Sequence, residues 1–127
     1  MRVLIKALTD YLMAQLSTNE IYSGGKVFQG THQDHINIWL IAAPRDYDHN
    51  GPTGCIDASF QFDCKSQTLD GAYALAENVE NKISGFTGMM GASKIAAIFL
   101  ENENDTYYDS NGFYVVSNDY RILYEKE

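Results

Sequence analysis

Apolar and polar residues alternate without a break from Ile56 to Lys65, and this pattern constrains the fold more than any other feature of the sequence. Successive side chains of a strand point to opposite faces, so the pattern predicts a half-buried antiparallel strand. The residues on the face expected to be buried are Ile56, Ala58, Phe60, Phe62 and Cys64. The run Ile36–Ala42 predicts a partner strand, central in the sheet because both of its faces are apolar near its end. The segment from Ile36 to Leu69 therefore predicts one long hairpin.

Two amphipathic helices are predicted from apolar residues that recur at intervals of three and four. The first covers residues 3–16. The second runs from Leu69 to Ile83, with Thr68 as its N-cap and Gly85 just beyond its C-terminus.

The remaining strands are shorter or lie further along the chain. A short strand or hairpin is predicted at Ile21–Ser23 and Lys26–Phe28. Two longer strands are predicted at Ile95–Leu100 and Phe113–Tyr124. The predicted order is therefore helix, three strands, helix, two strands. Such an order predicts an α+β fold in which a mostly antiparallel sheet of four or five strands carries two packed helices.

Three segments predict connections because they are rich in turn-forming or polar residues. They are residues 43–54, residues 101–109, and the glycine-containing segment 85–91 that follows the second helix. Within the last segment, Met89 and Met90 either make adaptable surface contacts or enter the core. The predicted connections are short enough for the whole chain, residues 1–127, to form a single domain.

Composition excludes several classes of protein. The net charge of −8, from 17 acidic and 9 basic residues, disfavours binding to nucleic-acid phosphates and to anionic membrane surfaces. The N-terminal apolar run is too short for a signal peptide. Cys55 and Cys64 lie nine residues apart on one predicted strand, which separates them by roughly 30 Å and favours two reduced thiols in a cytosolic protein.

One segment has the spacing of a calcium-binding loop. Asp46, Asp48, Asn50, Gly51 and Asp57 occupy its first, third, fifth, sixth and twelfth positions. A calcium loop normally ends in a bidentate glutamate and is flanked by helices, whereas this segment ends in aspartate and is flanked by predicted strands. The sequence therefore favours a solvated hairpin connection, with calcium binding as the alternative and no other metal or cofactor.

No catalytic arrangement is evident from the sequence, because nothing pairs a base with a nucleophile. Tyrosines instead cluster near the C-terminus, and some of them are expected on a surface that contacts other proteins. Tyr107 and Tyr108, which lie in a polar connection, are the interface candidates. The sequence thus favours an interaction protein over an enzyme.

The chain resembles the tail-terminator proteins of long-tailed bacteriophages, also described as tail-completion or minor capsid proteins. The resemblance rests on length and element order along nearly the whole chain. The segments that carry it are the helix Leu4–Leu16, the strand Ile36–Ala42, the loop Pro44–Thr53, the strand Cys55–Lys65, the helix Leu69–Ile83 ending at Gly85, and the aromatic strand Phe113–Tyr124.

The resemblance implies a structural role in the virion, with assembly in the host cytoplasm. Proteins of this family form a ring, usually a hexamer, on the head-proximal end of the tail tube. The resemblance implies that the partners of this chain are further copies of itself, the tail tube protein and the head connector protein. Phage DNA would pass through the acidic lumen of the ring without specific binding. The Arg45–Thr53 and Glu101–Asp109 loops are candidates for the lumen or the rim. The alternatives are another head–tail connector component, such as a stopper or adaptor, and a small calcium-binding module.

Overall fold

A computed structural model describes residues 2–16, 21–23, 34–42, 45–48, 51–104, 106–108 and 112–125. The elements in chain order are α1 (Arg2–Leu16), β1 (Ile21–Ser23), β2 (His35–Ala42), β3 (Arg45–Asp48), β4 (Gly51–Ser66), α2 (Leu69–Ile83), β5 (Gly88–Met90), β6 (Ser93–Glu103), β7 (Tyr107–Tyr108) and β8 (Tyr114–Glu125). Neither α1 nor α2 is long and apolar enough to cross a membrane, and no other helix is present among these residues.

All strands belong to one sheet, whose main order is β1-β2-β4-β8-β6-β5. β3 also pairs with β4, and β7 also pairs with β8. The β1–β2 pairing is parallel and the other pairings are antiparallel. The predicted α+β fold with a mostly antiparallel sheet is therefore confirmed.

The core lies on one face of the sheet, called here the core face. The alternating residues of β4 that were predicted to be buried are buried, and they pack in one cluster with side chains of α1 and α2. The helical members of this cluster are Leu4, Ala7, Leu8, Leu12, Ala72, Ala76, Val79 and Ile83. Both helices therefore cover the core face. The opposite face, called the polar face, carries Asp57, Ser59, Gln61, Asp63 and Lys65 of β4.

The ends of α2 follow the predicted capping signals. The Thr68 hydroxyl accepts a hydrogen bond from the Gly71 N–H at 3.0 Å, which satisfies one of the donors left free at a helix N-terminus. Gly85 has a φ of +78°, a conformation that glycine adopts without steric cost after a helix.

The strand count exceeds the prediction, because three predicted connections contain short strands. In the segment 43–54, β3 folds back on the start of β4, with Asp48 paired to Gly51 and Tyr47 to Pro52. Asn, Gly and Pro mark a turn in sequence, but they do not show that the turn joins two paired strands. The long hairpin between Ile36 and Leu69 is nevertheless present, since β2 and β3 both run antiparallel to β4.

The other two corrections lie after α2. β6 continues through Glu103, and β7 forms within the segment 101–109, because β8 supplies the backbone hydrogen-bonding partners for both. β5 forms in the segment 85–91 as a hairpin with β6. Of the two methionines of β5, Met90 enters the core and Met89 is exposed at the surface. Each of the two predicted alternatives, core packing and surface contact, therefore holds for one methionine.

β2 was predicted to be a central strand because both of its faces are apolar near its end, and this prediction is wrong at the C-terminal end. Trp39, Leu40 and Ile41 are 39%, 43% and 58% exposed. β1 pairs only with residues 36–38 of β2, so within the described chain no strand covers this end on the side away from β4. Lys26–Phe28 and Pro44 lie outside the described residues.

Candidate functional site

Tyr108, one of the two interface candidates, lies on the surface. β7 pairs with the start of β8, and the ring of Tyr108 contacts the ring of Tyr114 edge-on with centroids 4.9 Å apart. Tyr108 nevertheless remains 61% exposed. Tyr107 pairs with Val115 through its backbone, and its side chain is outside the described part of the structure. A tyrosine that packs against a neighbouring ring and is still exposed is the kind of side chain that protein interfaces favour.

The carboxylate of Asp57, the last position of the calcium-like spacing, binds Arg121. Arg121 donates from Nε to both carboxylate oxygens at 2.8 Å, and Nη2 also donates to Oδ2. These hydrogen bonds and the positive charge hold the pKa of Asp57 below its ordinary value, against the opposing effect of burial.

The remaining calcium-loop positions are only partly described. Asp46 and Asp48 belong to β3, where only their backbone is described, and Asn50 lies outside the described residues. Among the residues that are described, no three acidic, histidine or cysteine side chains are grouped to hold a metal ion. Calcium binding stays a prediction, and any such site would compete with Arg121 for Asp57.

The tip of the β3–β4 hairpin projects beyond the rest of the sheet. β4 pairs with β8 only from Cys55 onward, so residues 51–54 have β3 as their only strand neighbour within the described ranges. Four residues of strand correspond to roughly 13 Å. The hairpin therefore extends past the last residue of β4 that pairs with β8.

Asp63 anchors a buried hydrogen-bond network on the polar face. Its carboxylate accepts bonds from Trp39 Nε1 at 3.1 Å, Gln61 Nε2 at 2.8 Å and Ser117 Oγ at 2.7 Å. Asp63 is only 6% exposed, although its place in the alternation predicts a solvated residue. The network ties β2, β4 and β8 together and fixes the indole of Trp39 on the surface.

A cavity of about 360 Å³ lies between α2 and the adjoining ends of β6 and β8. Its lining residues are Tyr73, Ala76, Glu77, Glu80, Glu103, Asn104, Thr106, Val116 and Asn118. The Thr106 hydroxyl donates to the Tyr73 hydroxyl at 2.9 Å, which fastens the segment after β6 to α2. We call this cavity the acidic pocket, because Glu77, Glu80 and Glu103 line it.

Sequence reasoning missed the acidic pocket, although one signal was present. The core face of β8 is apolar except at Asn118, which lies between Val116 and Tyr120 and pairs with Phe62. A polar residue at a core position indicates a special environment. The carboxylates of α2 and β6 gave no comparable signal, because acidic residues on exposed strands and helices are common.

Comparison with solved structures finds the same fold elsewhere. One match is a chain from the virion of a native gene transfer agent particle, with a TM-score of 0.66 and 12% identity, covering 98% of this chain and 92% of that one. Another solved structure has a TM-score of 0.61 and 15% identity, covering 99% of this chain and 94% of that one. No protein-family model and no curated protein sequence matches the chain. At 12% and 15% sequence identity, the similarity to these two solved structures establishes the fold of the chain.

Proposed function

We propose that the protein is a structural component of a virion that forms a ring at the head-proximal end of a phage tail tube. The observation that carries the proposal is the fold shared, over nearly all of both chains, with a chain from a gene transfer agent virion. The element order and aromatic C-terminal strand, which resemble the tail-terminator family, support the more specific role. The protein would end tube polymerisation and join the tail to the head connector.

The two ends of the sheet offer the different surfaces that a ring requires. A head-to-tail ring needs two complementary patches on each subunit. At one edge of the sheet, the side of β2 that faces away from β4 meets no described strand from Trp39 to Ala42. At the other edge β5 pairs only with residues 93–95 of β6, so the rest of β6 meets no described strand on the side that faces away from β8. Strand edges of this kind can pair with another chain.

The net charge suits a channel for DNA. A chain with a charge of −8 repels the phosphate backbone, so DNA could pass a ring of such subunits without adhering. The projecting β3–β4 hairpin and the segment from Glu101 to Tyr108 are the candidates for the lumen or the tube-facing rim.

Native mass spectrometry at high protein concentration tests the ring directly. We expect a closed assembly near six subunits, unchanged between calcium and chelator. Imaging of the same sample by negative-stain electron microscopy should then show a ring with a central opening. A dimer with two-fold symmetry would contradict the proposal, because an isologous contact uses the same patch twice and leaves no surface for ring growth.

A further inference from the structure

The acidic pocket concentrates negative charge without a described counter-charge. Glu77 and Glu80 lie three residues apart on α2 and so share a helix face, while Glu103 approaches from the end of β6. No lysine, arginine or histidine is among the residues that line the pocket. Three carboxylates around one cavity repel each other, so an occupant that carries positive charge would be stabilised there.

Two buried polar atoms near these carboxylates lack hydrogen-bond partners in the described structure. Asn118 lines the acidic pocket and is 4% exposed, and its Oδ1 accepts no hydrogen bond. The hydroxyl of Tyr120, two residues along β8, is likewise buried and unpaired. Burial raises the pKa of Tyr120, and the carboxylates of Glu80 and Glu103, which lie near it, raise that pKa further. Unpaired buried polar atoms are costly. Because Oδ1 of Asn118 has almost no accessible surface, a donor in the pocket would satisfy it once the amide turns toward the cavity.

The geometry selects among possible occupants. An anion is excluded by the three carboxylates. A single metal ion is disfavoured because these carboxylates are not close enough to form a metal-binding group. A guanidinium group suits separated acceptors, because it presents five N–H donors in a planar fork and always carries a positive charge. The cavity volume of about 360 Å³ lies within the range of roughly 300–1,000 Å³ that ligand pockets occupy.

We propose that the acidic pocket binds the guanidinium group of an arginine side chain from a partner polypeptide. Glu80 and Glu103 would pair with the guanidinium, and Asn118 Oδ1 would accept one of its N–H groups. Tyr73 and Thr106, joined at the pocket, would contact the aliphatic part of the side chain. The assignment goes beyond the virion role and would stand if that role were wrong.

The test is an NMR titration of the 15N-labelled protein with N-acetyl-arginine amide, which presents one guanidinium group and no free charge at its backbone. We expect saturable shifts of the Asn118 side-chain NH₂ signals and of the Glu80, Glu103 and Thr106 backbone amides. Glu80→Gln and Glu103→Gln should each weaken binding about tenfold, the usual loss for one charge-assisted hydrogen bond. Glu101→Gln is the matched control, since it makes the same charge change at an exposed residue of β6 that does not line the pocket.

Three results would overturn the proposal. The first is a linear, unsaturated response at Asn118. The second is equal binding of N-acetyl-citrulline amide, which has the same shape but no charge. The third is tighter binding of spermidine than of the arginine amide, which would assign the pocket to a free polyamine. Because Glu103 and Glu101 are both exposed, their variants test the pocket without disturbing the core. A ring in native mass spectrometry would be unaffected by any of these outcomes, so the two proposals fail separately.

Discussion

The ion pair between Asp57 and Arg121 joins two central strands, β4 and β8, on the polar face. Removal of its carboxylate in Asp57→Asn should lower the free energy of unfolding by about 0.5–1 kcal/mol near neutral pH. The expected value is small because the side chain of Arg121 is nearly half exposed, and solvent weakens such pairs. Urea unfolding of both proteins measures this difference. Asp119→Asn, which removes a carboxylate from the same face of β8, is the matched control.

The cost of Asp57→Asn should depend on pH in a defined direction. Arg121 lowers the pKa of Asp57 in the folded state, so the pair stabilises the protein at pH values above the ordinary pKa of 3.8. This stabilisation is lost as the pH falls through the lower pKa of the folded state. Wild type and Asp57→Asn should therefore become equally stable once the pH has fallen below the pKa of Asp57 in the folded state, where the carboxyl is protonated in both the folded and the unfolded protein. A difference that persisted there would mean that the substitution acts through packing.

The thiol of Cys64 should be unreactive in the folded protein. It is free and almost fully buried, and burial together with the Asp63 carboxylate raises its pKa. Reaction requires an accessible thiolate. In a Cys55→Ser variant, Ellman's reagent should thus detect no thiol under native conditions and one thiol in denaturant. Rapid reaction under native conditions would show that β4 opens locally.

At the scale of elements, the contact between α1 and the β5–β6 turn can be tested with two glycines. Gly91 and Gly85 both have positive φ, at +58° and +78°, so alanine is strained by about 1 kcal/mol at either position. A Cβ at Gly91 would lie 3.2 Å from the Ala7 Cβ of α1, whereas a Cβ at Gly85 meets nothing within 4 Å. Gly91→Ala should therefore lower the thermal midpoint more than Gly85→Ala does. Equal decreases in the thermal midpoint would mean that α1 moves away from the added Cβ at Gly91 without a loss of stability.

The elements that could be predicted from sequence are those whose signals are local. Helical periodicity and the capping residue Thr68 fixed the bounds of α2, because helix hydrogen bonds connect residues four apart. The buried face of β4 followed from its period of two. Each of these features is determined by residues that lie close together in the sequence.

The elements that could not be predicted depend on distant partners. β3, β5 and β7 are two to four residues long, and each exists because a longer strand supplies its hydrogen bonds. Asp63 is buried because Trp39 and Ser117, 24 and 54 residues away, donate to it. The acidic pocket likewise joins Glu80 to Glu103 through the topology, which no local pattern encodes.

At the scale of the whole molecule, the two sheet ends differ in chemistry. The part of β2 whose outer edge meets no described strand is apolar and includes Trp39 and Ile41, whereas the corresponding part of β6 ends in the polar residues Glu101–Glu103. Unlike surfaces favour heterologous association, in which one end of a subunit meets the other end of its neighbour. An assembly of this kind closes into a ring only when the rotation between subunits allows it.

The tyrosine on β7 provides the final prediction, which concerns assembly. If Tyr108 contacts a neighbouring subunit, Tyr108→Ala should reduce the ring fraction at fixed concentration, because exposed tyrosines at interfaces contribute roughly 1–4 kcal/mol. Loss of its ring contact with Tyr114 should lower the unfolding free energy by only about 0.5–1.5 kcal/mol. Sedimentation velocity measures the first effect and urea unfolding the second. Leu69→Ala, which removes an exposed apolar side chain from α2 and belongs to neither sheet edge, tests whether the loss of any exposed apolar side chain reduces assembly. Assembly equal to wild type in Tyr108→Ala would exclude β7 from the subunit contact and leave the strand edges of β2 and β6 as the surfaces to substitute next.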